Sequence, residues 1–384
     1  MRYLTAGESH GKGLTAILEG VPANLTVDPE EINKELKRRM SGYGRGGRMK
    51  IESDSVEILS GIRGHVTTGA PIAMFIKNRD YENWQDIIGA DATQLDKKTV
   101  TKVRPGHADL PGCIKYAQKD ARNILERSSA RETAARVAVG AVCKILLREL
   151  GINIGSHVVE ICGVKSSCSY KSVDELIEKS DKSEVRCLDA KASEEMKKAI
   201  DVAVKNGDTA GGVVEVVASG MPVGIGSHVS YDKKLDYIIS GHMMSVQSVK
   251  CVELGLGRGY GEVYGSKAHD EIYIKDGKIF RKTNNAGGVE GGISNGEDIV
   301  VRCTLKPIPT LMKGLDTVDL ITREKVKAAP ERSDYCAVPA GGVVLEAALA
   351  FALCSAVLDT LGGDHMDELK QRIRAKREAE NGAY

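Results

Sequence analysis

The chain has 384 residues, with 54 Lys+Arg against 53 Asp+Glu and a formal net charge of +1, a balance that disfavours a general nucleic-acid binder. Charged residues at 28% and hydrophobic ones at 42% exclude a mostly disordered or fibrous protein. Aromatics are only 4%, with 1 Trp and 3 Phe, so the core must be aliphatic and there is little material for base-stacking platforms.

The opening MRYLTAGESHG is strand-like at first and shows no basic head followed by an apolar stretch, so no secretory signal is visible. The 9 cysteines contain no CxxC pair and fit reduced thiols, and a cytoplasmic protein is expected. Asp28 as N-cap, Pro29 in the first helical position and Glu31 three residues past the cap predict a helix over 29–40. Strands are predicted over 51–59 and 71–77, where β-branched residues concentrate. A helix over 131–150, closed by Gly151, precedes a strand over 152–164. Then come a helix over 193–205, a strand over 212–219 and a helix over 232–250. Strand character over 271–282 is broken by a hairpin turn at Lys275-Asp276-Gly277-Lys278, and a further strand covers 298–305. The most apolar stretch, 337–361, is interrupted by Glu346 and predicts a buried helix over 341–361 rather than a membrane span; a last helix covers 364–380. Tight turns between strands and separate blocks of helices favour mixed or antiparallel sheets, and the lack of a linker favours one unit over 1–384. IGSHVV at 154–159 and IGSHVS at 225–230 suggest an internal echo, which chance explains equally well.

The 42 glycines exceed the roughly 7% of ordinary usage and cluster in polar loops. GESHG at 7–11 sets Ser9 and His10 between glycines, as a catalytic loop or as a structural turn. SGYGRGGRMK at 41–50 follows Arg38 and Arg39 and adds Arg45 and Arg48, a combination suited to phosphate and carboxylate groups. An RGG-like RNA tract or a solvated basic turn competes there. RPGHAD at 104–109 holds His107 beside Asp109, as an acid–base pair or a turn with a helix cap. ERSSARE at 126–132 offers Arg127, Ser128, Ser129 and Arg131 ahead of an apolar helix, for an anion at the helix N-terminus or for pairing with Glu on a helix face. NNAGGVEGGISNG at 284–296 reads as backbone amides wrapped around a ligand, and ERSDYCAVPAGG at 331–342 places Arg332, Ser333 and Asp334 before the buried helix. There is no GxxxxGK[ST], and GLGRGYG at 255–261 lacks the context of a dinucleotide fingerprint. If the loop arginines converge, their field is local and suits a small polyanion.

In chain order, MRYLTAGESHG, GYGRGGRMKIE, RPGHADLPG, RSSARETAARVAVGA, MPVGIGSH, NNAGGVEGGISNG, LKPIPT and RSDYCAVPAGG resemble the successive signatures of the chorismate synthase family, from Met1 to the region of residue 360. The resemblance implies an α+β fold, a β-α-β sandwich with helices packed between mainly antiparallel sheets, assembling as a homotetramer. It implies a lyase that converts 5-enolpyruvylshikimate 3-phosphate to chorismate by anti 1,4-elimination of phosphate and a ring proton, the last common step of aromatic biosynthesis. Reduced FMN is then required without net redox change. No flavin-reductase insert is visible, so an external reductant is implied, and neither nucleic acid nor membrane is a partner.

Carried over by position, Ser9, Arg39, Arg45, Arg48, Arg104 and Arg131 match substrate-pocket residues. His107 would help protonate the leaving phosphate, His10 the flavin or the phosphate side, and Asp334 matches the residue that accepts the ring proton. The FMN-contacting positions match Arg127, Ser128 and Ser129, then Gln247 and Ser248, then Gly291. Lys306, Pro307, Ile308, Pro309 and Thr310 continue that set, with Arg332. A nicotinamide-nucleotide (NADP) contact near Arg39 and Arg45 would overlap the substrate site. Departures from the common pattern are Lys12 after GESHG, Met40-Ser41 at the helix end, and Gly47 where an Arg is frequent. Two rivals remain: a flavin-dependent reductase that oxidises a nicotinamide, and an RNA binder using the GRGGR loop.

Overall fold

Two antiparallel sheets enclose a layer of helices in a computed structural model that describes residues 1–47, 53–275, 277–328, 331 and 333–382. The first sheet runs Arg2–Ala6, Gly13–Glu19, Ile72–Lys77, Val56–Ser60 in spatial order. Its strands alternate as half-buried strands should: Leu14, Ala16 and Leu18 point inward, as do Ile72, Met74 and Ile76 across from them. The second sheet is ordered Val249–Leu254, Ile299–Leu305, Gly212–Ser219, Asn153–Ile161, Val164–Lys165, again antiparallel throughout.

The helices in chain order are α1 Pro29–Met40, α2 Asp109–Lys115, α3 Arg122–Ser128, α4 Thr133–Glu149 and α5 Val173–Lys182. They continue with α6 Ala190–Lys205, α7 Leu235–Met244, the single turn α8 Gly265–Ala268, α9 Val338–Leu361 and α10 Met366–Gly382. Helix α4 packs on the first sheet, α9 on the second, and the two pack on each other. Gly140 permits that crossing, because a Cβ there would stand 2.2 Å from the Cβ of Ala347. Helix α9 is long and apolar enough to cross a membrane, yet it is the central helix of the core and even its Glu346 is wholly buried. One hydrophobic cluster runs from Leu14 to Ile373.

The predicted helix at 29–40 forms as expected: the Asp28 side chain accepts from the Glu30 N–H at 3.0 Å and Pro29 opens the helix. The strand over 212–219 is found without change, and Lys275 and Lys278 close the expected hairpin. The strand expected over 51–59 is described only from Val56 to Ser60, and 51 and 52 lie outside the described residues. The helix over 232–250 is corrected: α7 ends at Met244, Ser248 takes a left-handed conformation (φ 73°), and Val249–Leu254 pairs as an edge strand with Ile299–Leu305. Sheet pairing there overrides helical periodicity. The two IGSHV segments share no structure, since the first is inside a strand and the second turns at Gly226 (φ 87°). Helices α2, α3 and α5 were not anticipated.

Candidate active site

The end of α1, the turns around α2 and α3, and the start of α9 meet at a cavity of about 1060 Å³. Five arginines among the described residues line it: Arg39 in the last turn of α1, Arg104 before α2, Arg122 at the start of α3, Arg131 between α3 and α4, and Arg45 beyond α1.

Each is held by a carboxylate. Arg104 donates through Nε to Asp109 Oδ2 at 2.8 Å and through Nη2 to Oδ1 at 3.1 Å, while Nη1 reaches Thr310 Oγ1 at 3.0 Å. His107 Nδ1 lies 2.5 Å from the same Asp109. The turn that brings them together needs Gly106 at φ 79°. Burial works to raise the Asp109 carboxyl, but hydrogen bonds from His107 and Arg104 hold it well below the usual carboxylate range.

His10 is fixed from two sides. Its Nδ1 is 2.9 Å from Glu126 Oε1, its backbone N–H donates to Oε2 at 2.8 Å, and its ring stacks on Trp84 at 4.1 Å. Burial opposes ionisation of Glu126, yet the His10 contacts and the nearby Arg122 keep its carboxyl below the ordinary value. Ser9 joins the same support, donating its N–H to the Glu126 carbonyl at 3.0 Å.

Arg39 and Arg131 share Asp54, at 3.2 and 2.6 Å. Burial, with the Arg131 and Arg45 cations against it and Asp54 for it, pushes Arg39 down to about 9. Arg45 Nη1 lies 2.6 Å from Asp334 Oδ2, and the Gly46 N–H donates to Asp334 Oδ1 at 2.7 Å. A concentration of guanidinium groups with two histidines on buried carboxylates can bind a multiply charged anion and move protons at it.

Residues 1–358 match the sequence profile of the family described as chorismate synthase. A chorismate synthase of Caldicellulosiruptor bescii is 56% identical over 367 residues, covering 95% of this chain and 96% of its own length. One from Geobacillus sp. is 52% identical over 382 residues, 98% of each chain. The solved structure titled "Crystal Structure of Chorismate Synthase" superposes with a TM-score of 0.80 at 45% identity, covering 99% of this chain and 98% of its own. The chain belongs to the chorismate synthase family. Its sheets and helices form the α+β sandwich expected of that family.

Among the residues matched to family positions, Ser9, His10, Arg39, Arg45, Arg104, His107, Arg131 and Asp334 line the one cavity. Ser128, Ser129, Gln247 and Ser248 do as well, with Lys306, Ile308, Pro309 and Thr310. Arg48 and Arg332 lie outside the described residues. Three matched positions stand apart from the lining. Arg127 donates from Nη2 to the Thr5 carbonyl and hydroxyl at 2.7 Å each, so it props the strand before GESHG. Pro307 is absent from the wall, and Gly291 turns the hairpin between Val289–Glu290 and Ile293–Ser294.

The ERSSARE segment is not the start of one helix. Arg127 and Ser128 end α3, the Ser128 hydroxyl donates back to Ile124 O at 2.8 Å, and Ser129 caps a short turn by accepting from the Arg131 N–H. The glycines of 284–296 also serve another purpose: none of that loop lines the cavity, and a Cβ at Gly287 would meet Gly255 N at 2.3 Å. They allow close backbone packing beside the second sheet. Sequence reasoning missed Trp84, Arg122 and Glu126, and the buried Asp54 and Asn78 behind the arginines.

Proposed function

We propose that this chain converts 5-enolpyruvylshikimate 3-phosphate to chorismate by anti 1,4-elimination of phosphate and a ring proton, with reduced FMN as cofactor. The observation that carries this is the convergence of Arg39, Arg45, Arg104 and Arg131 on one cavity with His10 and His107. A substrate with a phosphate and two carboxylates suits that field, and preorganised cations stabilise the charge that grows on the leaving phosphate. With Nδ1 of His107 turned to Asp109, its Nε2 carries the proton given to the phosphate. His10, held through Nδ1 by Glu126, works in the same way from the GESHG side. Asp334 accepts the ring proton; an anion that engages Arg45 competes for the guanidinium paired with Asp334, which links binding to release of the base.

The wall fits a flavin. Gln247 Oε1 is buried without a hydrogen-bond partner among the described residues, an acceptor suited to a flavin ring N–H. Ser128, Ser129, Ser248 and Lys306 offer further polar groups, and Thr310 stands beside Arg104. Reduced FMN, when bound, lends electron density to the allylic system without net redox change. The resemblance also supports one domain over 1–384, a cytoplasmic homotetramer, and flavin reduced by an external partner.

The test is anaerobic: purified protein, chemically reduced FMN and 5-enolpyruvylshikimate 3-phosphate, following chorismate absorbance and phosphate release together. Equal release of both, with reduced flavin only, is expected. NADPH consumption without the phosphorylated substrate and no chorismate would favour the reductase instead.

A further inference from the structure

The arginines of the cavity wall are not independent, and the group that connects two of them belongs to none of the glycine-rich loops. Asp54 lies in the stretch before Val56–Ser60, its side chain fully buried. Its two oxygens are divided: Oδ2 accepts from Arg39 Nη1 at 3.2 Å and Oδ1 from Arg131 Nη1 at 2.6 Å. Arg39 is fixed at its other nitrogens, with Nε donating to Thr133 Oγ1 at 2.9 Å and Nη2 to Ala130 O at 3.3 Å. Arg131 Nε donates to Asn78 Oδ1 at 2.9 Å, and the Asn78 amide in turn donates to the carbonyls of Glu8 and Gly11, on either side of Ser9 and His10. Asn78 is wholly buried.

Resting on the functional reading above, we propose that Asp54 is a positioning residue: it sets Arg39 and Arg131 as one rigid fork for the substrate's anionic group, which Asn78 keeps in register with the GESHG loop. Two guanidinium groups side by side repel, and without a shared counter-ion they would separate or lose their common direction. One carboxylate between the two cations ties both guanidinium groups to a single anchor. The fork's value is therefore orientation at the moment charge builds up on the leaving group.

The test compares wild type with Asp54→Asn by steady-state kinetics with reduced FMN, by calorimetric binding of inorganic phosphate, and by thermal unfolding as a control for folding. Asn has one acceptor and one donor face, so it can hold one arginine and must present N–H groups to the other. The expected result is a kcat lowered about 10²-fold with a much smaller change in KM. Phosphate binding should weaken, although the cavity has gained positive charge. Tighter phosphate binding with kcat within about threefold of wild type would overturn the proposal, leaving Asp54 a mere charge balance. Thr133→Val, which removes the acceptor for Arg39 Nε together with the hydroxyl's own bond to Ala130 O and leaves Asp54 in place, supplies the second variant. It should move kcat and phosphate affinity in the same direction by less, and if Asp54→Asn fails to fold, no effect in Thr133→Val overturns the proposal. Phosphate binding is read without the organic substrate. Wild type that binds phosphate but forms no chorismate therefore sinks the functional reading while the variant comparison still decides; wild type that binds no phosphate overturns the fork itself.

Discussion

Replacing Asp109 by Asn tests how His107 is held. The buried carboxylate receives the Arg104 backbone N–H at 3.1 Å, its Nε at 2.8 Å and its Nη2 at 3.1 Å, together with His107 Nδ1 at 2.5 Å. Asn keeps one acceptor oxygen and turns an NH2 toward either Arg104 or His107, so the guanidinium loses its counter-ion. Removing one partner of a buried pair costs about 3–5 kcal/mol, and because the cavity admits water to Arg104 we expect the lower end, about 3 kcal/mol. The loss of imidazole orientation should lower kcat by about 10²–10⁴-fold, the range of a positioned acid or base. The pH dependence has a definite sign. The folded-state carboxyl titrates below its unfolded value of about 3.9, so its stabilisation is complete above that value and is lost as pH falls through the folded one. Urea unfolding at neutral pH and near pH 3 should show the gap between wild type and Asp109→Asn narrowing in acid. A folded Asp109→Asn protein with near-normal kcat would refute the idea that Asp109 holds His107 for proton transfer.

Glu346→Gln should destabilise the fold by about 3–5 kcal/mol in chemical denaturation, because Arg38, Lys144 and Arg186 all converge on this buried carboxylate. A loss under about 1 kcal/mol would mean those cations are already solvated. Arg131→Ala should weaken inorganic phosphate binding at least about tenfold, whereas Arg127→Ala, whose guanidinium faces Thr5, should leave it nearly unchanged in the same calorimetric titration. Equal losses would contradict the placement of Arg127 outside the cavity. Trp84 is the single tryptophan and stacks on His10, so its fluorescence should change when the phosphorylated substrate binds; a constant emission spectrum at saturating substrate would separate it from the site.

What the sequence disclosed depended on how local the physics was. The Asp28 cap and the alternation of Ile72, Met74 and Ile76 are written within a few residues, and the elements follow from them. Helix α5 was equally legible and missed: Ser172 accepts from the Glu175 N–H, the spacing of a capping box. The run from Leu235 past Ser245 kept its apolar spacing, and only the pairing of Val249–Leu254 with a distant strand shows why the helix stops. The site's cations and histidines stood out because glycine-rich loops carried them. Their partners did not, since Asp54 is 77 residues from Arg131 and Glu126 is 116 from His10. No local pattern encodes such pairs. The loop at 284–296 misled for the opposite reason: its glycines record close approach to Gly255 and Asp298, a packing demand that looks the same in sequence as a ligand cradle.

These pairings explain how a chain of net charge +1 can carry a site for a multiply charged anion. Arginines gathered without partners would repel one another and lose hydration, and the fall of Arg39 to about 9 under burial and its cationic neighbours records that pressure. Setting a buried acid behind the wall, Asp109 behind Arg104, Glu126 behind Arg122 and Asp54 behind Arg39 and Arg131, relieves the repulsion and fixes each fork's direction. Asp109 serves His107 as well as Arg104, and Glu126 serves His10 as well as Arg122, which also reaches Glu331. At Asp54 one carboxylate anchors two arginines, Arg39 and Arg131. On the function proposed above, the pair shared by Asp54 would orient the anion, while proton transfer would fall to the histidines, His10 and His107, that rest on Glu126 and Asp109.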